Sequence, residues 1–102
     1  MALDTALFDK IAEAELAALD KALGDFDPDE LEAEATPGVL TLTLAGGDKI
    51  IINSHRAAGE IWMAAFRSGW HFAPHDESGR WVWRTAKDEL RATLSGLLTE
   101  RL

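Results

Sequence analysis

Carboxylates crowd one part of this chain. Asp9, Glu13 and Asp20 recur at spacings that set them along one edge of a helix, and Asp25, Asp27, Asp29, Glu30, Glu32 and Glu34 carry the run onward. Like charges this close repel one another and weaken a fold, so an arriving cation relieves a real cost. Carboxylate oxygens suit hard or borderline ions such as Fe2+, Mn2+, Mg2+ and Ca2+. The spacing Asp25-x-Asp27-x-Asp29 lacks the sharp-turn Gly and closing Glu of an EF-hand, so a cage is not expected and binding would be weak, shared and modestly selective. The plainer reading is a solvated acidic face with no ligand, and the pattern alone favours it.

Trp62 is the second residue of interest. In Ile61-Trp62-Met63, strand alternation sends Ile61 and Met63 to one face and Trp62 to the other. If Ile61 and Met63 face the helices, Trp62 stands on an open sheet face with Thr41, Thr43, Ile51 and Asn53, where an uncovered indole is a good anchor for a protein partner. Alternation equally allows the reverse, with Trp62 in the core. His55, His71 and His75 show no tight metal spacing, Pro74 bars His71 and His75 from sharing a helical face, and all three are expected at the surface. Trp70, Trp81 and Trp83 are expected in the core. Ser54-His55 cannot form a nucleophile pair because adjacent strand residues point to opposite faces. Gly46-Gly47 reads as a hairpin turn and not a phosphate loop, since no helix follows it.

The elements that must hold these residues are legible from the hydrophobic period. Phe8, Ala12, Leu16, Leu19, Leu23 and Phe26 follow helical steps, giving a first helix over about 4–23 that stops at Gly24, with turn chemistry through Pro28. Glu15 falls inside that apolar stripe and is expected to reach out past Leu16 or Leu19 at its edge. The period then becomes two: Leu31, Ala33 and Ala35 alternate with Glu32 and Glu34, and Leu40, Leu42 and Leu44 with Thr41 and Thr43. Pro37-Gly38 and Gly46-Gly47-Asp48 are turns, and 49–53 is a returning strand. Short strands follow over 61–65, 70–72 and 80–84. Helical spacing returns in Leu90, Leu94, Leu97 and Leu98, with Thr85 as N-cap and Asp88 at the capping-box position. The expected fold class is α+β: a two-layer α–β sandwich, with N- and C-terminal helices packed on one face of an antiparallel sheet of about six strands.

Composition narrows the partners. A chain of 102 residues builds one core, read as a single domain over 1–102. A net charge of −8 repels nucleic acid and anionic lipid and favours cations and basic proteins. With no cysteine, a metal must sit on oxygen or imidazole. The chain shows no membrane span, signal or transit pattern, so the cytoplasm is the expected compartment, and a monomer the expected state.

From about Phe8 to Leu98 the chain resembles the frataxin family, bacterial branch. The most specific stretches are Gly38-Val39-Leu40-Thr41-Leu42-Thr43, Gly47-Asp48-Lys49-Ile50-Ile51-Ile52-Asn53, Ile61-Trp62-Met63-Ala64, Gly69-Trp70-His71-Phe72 and the lone Trp81. The resemblance implies the same α–β sandwich and reverses the plainer reading of the carboxylates. Asp20, Asp25, Asp27, Asp29, Glu30 and Glu32 fall on family positions for weak binding of iron, as Fe2+ or Fe3+, with other divalent cations as alternatives. It implies no catalysis, docking of the acidic ridge on a cysteine desulfurase, and contact with an iron–sulfur scaffold protein through Asn53 and Trp62. The role implied is that of an iron-binding regulator of iron–sulfur cluster assembly, also described as an iron chaperone. Lys21 and Gly24 stand where relatives commonly carry acids, which lowers the expected iron stoichiometry or affinity; Ala57 and Glu60 replace a typical Pro and Gln beside the sheet-face contact. An iron oxidase or iron store, or an acidic interaction module with no metal role, are the alternatives.

Overall fold

A computed structural model describes residues 4–101. Helix α1 (Thr5–Leu23) leads into strands β1 (Leu31–Thr36), β2 (Val39–Leu44), β3 (Lys49–His55), β4 (Glu60–Ala65), β5 (Ser68–Glu77) and β6 (Arg80–Arg84), and helix α2 (Leu90–Arg101) follows. Each strand pairs antiparallel with its neighbour in sequence, so the sheet order is β1-β2-β3-β4-β5-β6. Short turns dictate this meander, because a parallel crossover needs a dozen or more residues. At the first hairpin Gly38 sits at φ 77°, open to glycine, and an added Cβ would also lie 3.1 Å from Ser54 Oγ.

Both helices cover one sheet face. Phe8, Ala12, Leu16, Leu19 and Leu23 of α1 meet Leu40, Leu42, Ile50, Ile52, Ile61, Met63 and Phe72 from the strands and Leu90, Leu94 and Leu98 from α2 in one buried cluster. Full burial of each such side chain stabilises by roughly 1.5–3 kcal/mol before conformational entropy is set against it. Trp83 is buried edge-on to Phe8, with ring centroids 5.9 Å apart. Trp70 and Trp81 are only partly buried and pack against the outside of this cluster, because each lies toward its margin. Phe26, beyond the end of α1, is exposed rather than continuing the apolar stripe.

Three further sequence expectations need correction. Glu15 does not reach out to water: it is 6% exposed, and both its oxygens accept hydrogen bonds from Arg91 of α2, at 2.9 and 2.7 Å. Hydrogen bonding to Glu15 is the main cause that holds the Arg91 guanidinium above its ordinary range; partial burial opposes this, and the charges of Glu15 and Glu89 add to it. Second, Thr85 does not cap α2. Its Oγ1 accepts from the N–H groups of Lys87 and Asp88 and shapes a preceding turn, while Glu89 accepts from Arg91 and Ala92 through its carboxylate and from Thr93 through its carbonyl. A carboxylate there also meets the positive end of the helix dipole. Third, the strand expected over 70–72 runs on through Pro74 to Glu77. Its first half pairs with β4 and its second with β6, so Pro74 has a free side where its missing N–H breaks no ladder.

The turn between β4 and β5 carries strain at both central residues. Phe66 and Arg67 join β4 to β5 with φ of 48° and 75°, a conformation that two-residue hairpins need and that side chains with a Cβ resist. Phe66 is held beneath Arg101, whose guanidinium carbon lies 3.9 Å from the ring centroid and which also donates to Asp48 at 3.1 Å. Arg67 is exposed and has no such hold. Arg67→Gly is therefore expected to stabilise the fold by about 0.5–1 kcal/mol, the relieved strain exceeding the added freedom of the unfolded chain. A lower urea midpoint than that of the parent would show that Arg67 earns its place by a contact of its own.

Candidate functional site: an acidic edge and an open sheet face

The strand register decides which way Trp62 points. Ile61 and Met63 are buried beneath the helices, and Trp62 lies on the opposite face, directly across from Asn53 on β3 and His71 on β5. Thr41, Ile51 and Ala64 share that face in adjacent register, and Ile51 is 41% exposed at its middle. Asn53 is half-buried, its side-chain amide directed to the Ser54 carbonyl at 3.4 Å.

Trp62 does not stand alone. The His55 ring stacks on one side of the indole at 3.7 Å between centroids and 13° between planes, and the His71 ring on the other at 4.2 Å and 11°. The indole N–H donates to Glu60 Oε1 at 3.0 Å, and the same oxygen lies 3.9 Å from His71 Nδ1. His55 is thus half-buried rather than a plain surface residue, and its Nδ1 is shut off from solvent without a hydrogen-bond partner. His71 and His75 are exposed, as expected. The stack was legible in principle: with β3, β4 and β5 in register, His55 and His71 fall on the strands flanking Trp62. The spacing of the histidines in the chain carries no sign of it, because the three rings come from three different strands.

The carboxylates divide into two groups. Asp9 is paired with Arg56, whose guanidinium is held above its ordinary range first by that hydrogen bonding and then by the Asp9 charge. Asp25, Asp27, Asp29, Glu30, Glu32 and Glu34 are all exposed, and Asp20 is half-buried. Among the described residues none of these seven is in an ion pair. The loop between α1 and β1 is ordered by its own backbone: Asp27 accepts from Asp29 N–H through its carboxylate and from Glu30 and Leu31 N–H through its carbonyl. Strand alternation places Glu32 and Glu34 opposite Thr43 and Thr41, on the face that bears Ile51, Asn53 and Trp62. Asp20 lies on the other side of β1, with Glu13, at the rim of a crevice between α1 and the β1–β2 turn. Glu32, Glu34 and the sheet-face residues therefore form one surface: free carboxylates on β1, then an apolar strip, then the ring stack.

No group of three or more His, Asp and Glu among the described residues is drawn together closely enough to hold a metal ion. A cation on this edge would be held by field and water, without a cage. A cavity of about 430 Å³ lies elsewhere, between α1 and α2; it is lined mainly by Ala, Leu and Phe side chains, and its charged residue, Arg91, is committed to Glu15.

A sheet covered on one face by two helices and left open on the other, with an acidic first edge, defines an α–β sandwich. This chain belongs to the frataxin-like family: the family's domain profile matches residues 1–102. Among its relatives, the iron-sulfur cluster assembly protein CyaY of Ralstonia pickettii is 40% identical over 89% of this chain and 82% of its own length. The protein of the same name from Dechloromonas aromatica is 40% identical over 97% of this chain and 92% of its own. In fold, the solved frataxin from Psychromonas ingrahamii superposes with a TM-score of 0.73 over 96% of this chain and 90% of its own, at 20% identity. Among the described residues no helix is long and apolar enough to cross a membrane.

Proposed function

We propose that this protein acts in iron–sulfur cluster assembly as a non-catalytic, iron-responsive regulator in the cytoplasm. Relatives about 40% identical over most of the chain carry that assembly name, and the observation that supports the finer reading is the unpaired row of carboxylates on the α1–β1 edge. Crowded negative charge held at one edge of the molecule attracts a basic surface over several ångströms and speeds encounter with it. In this reading Asp20, Asp25, Asp27, Asp29, Glu30 and Glu32 dock on a cysteine desulfurase and take up Fe2+ weakly, so that the ion and the protein compete for one edge. Asn53 and Trp62 meet the scaffold protein.

The test is an anaerobic NMR titration of the labelled protein, first with Fe2+ and then with the desulfurase. Resonances from Asp20 to Glu32 are expected to broaden with iron and to shift with the desulfurase, while β5 and β6 stay unchanged. Broadening spread evenly over the molecule would remove the iron assignment, and desulfurase shifts confined to other elements would remove the docking assignment.

A further inference from the structure

Strand β1 ends the sheet, and among the described residues no strand lies beyond it. Its pairing tells which backbone groups are left free. The Ala45 N–H donates to the Glu30 carbonyl, and Glu32 and Glu34 sit across from Thr43 and Thr41. Bonded pairs alternate in an antiparallel ladder, so residues in step with Glu30 turn their N–H and C=O toward β2, and Ala33 and Ala35 turn theirs to the free edge. Such an edge is a template for one more strand, a hazard that charged side chains usually blunt. Here the charges are of one sign and flank the edge on both faces: Glu32 and Glu34 on the open face, Glu13 and Asp20 on the helix side. Between the latter two runs a crevice of about 330 Å³ with Ala17, Ala35, Pro37 and Val39 on its walls. Ala35 itself is exposed.

We propose that the free edge of β1 receives an extended, basic peptide segment as a seventh strand, and that this is how the acidic edge engages its protein partner. Main-chain hydrogen bonds to Ala33 and Ala35 supply affinity. Alternate side chains supply specificity, with Lys or Arg reaching Glu32 and Glu34 on one face and a small apolar residue entering the crevice on the other. The same carboxylates exclude a second copy of this chain, whose net charge is −8, so the edge is closed to self-association and open to basic strands. The inference rests on the docking role proposed above and adds its geometry.

The experiment uses the full chain and two synthetic probes: a blocked heptapeptide of alternating Lys and Val, and the same peptide N-methylated at its valines, the residues that would lie opposite Ala33 and Ala35, so that the edge facing β1 cannot pair. Exchange of the Ala33 and Ala35 amide protons is expected to slow when the unmodified peptide binds, and the methylated peptide to bind about tenfold more weakly for the two or so main-chain bonds it loses. Ala35→Pro removes an edge donor with every charge kept, and is expected to weaken the unmodified peptide without changing the methylated one. Equal binding of the two peptides, with shifts still centred on the carboxylates, would overturn strand addition and leave charge docking standing. Binding of neither would overturn both.

Discussion

Arg91→Ala is expected to destabilise the protein by about 3 kcal/mol, a fall of more than about 10 °C in melting temperature for a domain of this size. The substitution leaves Glu15, 6% exposed and enclosed by core residues of α1, as a carboxylate with no cation. The value sits at the low end for a broken buried pair because the Arg91 side chain is 56% exposed and water can follow its removal. Replacing both partners, Glu15→Leu with Arg91→Leu, is expected to return stability to that of the parent or above, since two apolar groups need no desolvation offset. The pair's pH behaviour follows from the raised value on Arg91. A group whose folded value is raised contributes stability that is complete below its unfolded value and lost only above its folded one. For a guanidinium that loss falls in strong alkali, so urea midpoints measured across neutral pH should show no inflection from Arg91. A single Arg91→Ala variant within about 0.5 kcal/mol of the parent would mean that Glu15 is already hydrated.

Trp62→Ala carries the largest expected effect on function. If the open sheet face meets the scaffold protein, loss of a central indole should weaken that complex at least about thirtyfold, the scale of an interface hot spot. Folding should survive, because Trp62 lies outside the core and its contacts are with His55, His71 and Glu60 at the surface. The stacking lost within the free protein is worth on the order of 1 kcal/mol. Calorimetry with the scaffold and a thermal melt of the variant separate the two effects. Unchanged affinity would take Trp62 out of the interface.

The fold was open to reading because it is written in local signals. The switch from helical steps to alternation after Leu23, the glycines at Gly38 and Gly47 and the return of helical spacing at Leu90 each act within a few residues, and the meander they imply is the one observed. Hidden features depended on residues far apart in the chain. Glu15 is anomalous on α1 until Arg91 is brought to it from 76 positions away. The ring stack draws on three strands, none of which announces it separately. Thr85 and Asp88 satisfied the pattern of a cap, yet Glu89 was nearer to the first turn and took the role. Alternation gave the two possible faces of Trp62; only the covering of Ile61 and Met63 by the helices chose between them.

The strand order has a bearing on how this protein is born. Because every strand pairs with the one synthesised just before it, the sheet can zip up hairpin by hairpin as the chain leaves the ribosome. The helix that carries Leu90, Leu94 and Leu98 and supplies the cation for Glu15 comes after all six strands. Until it emerges, a nascent chain has only α1 over its sheet, with part of the apolar face uncovered and the Glu15 carboxylate unmatched. A stalled chain lacking that helix should therefore be a client for chaperones, and the one carrying it should not.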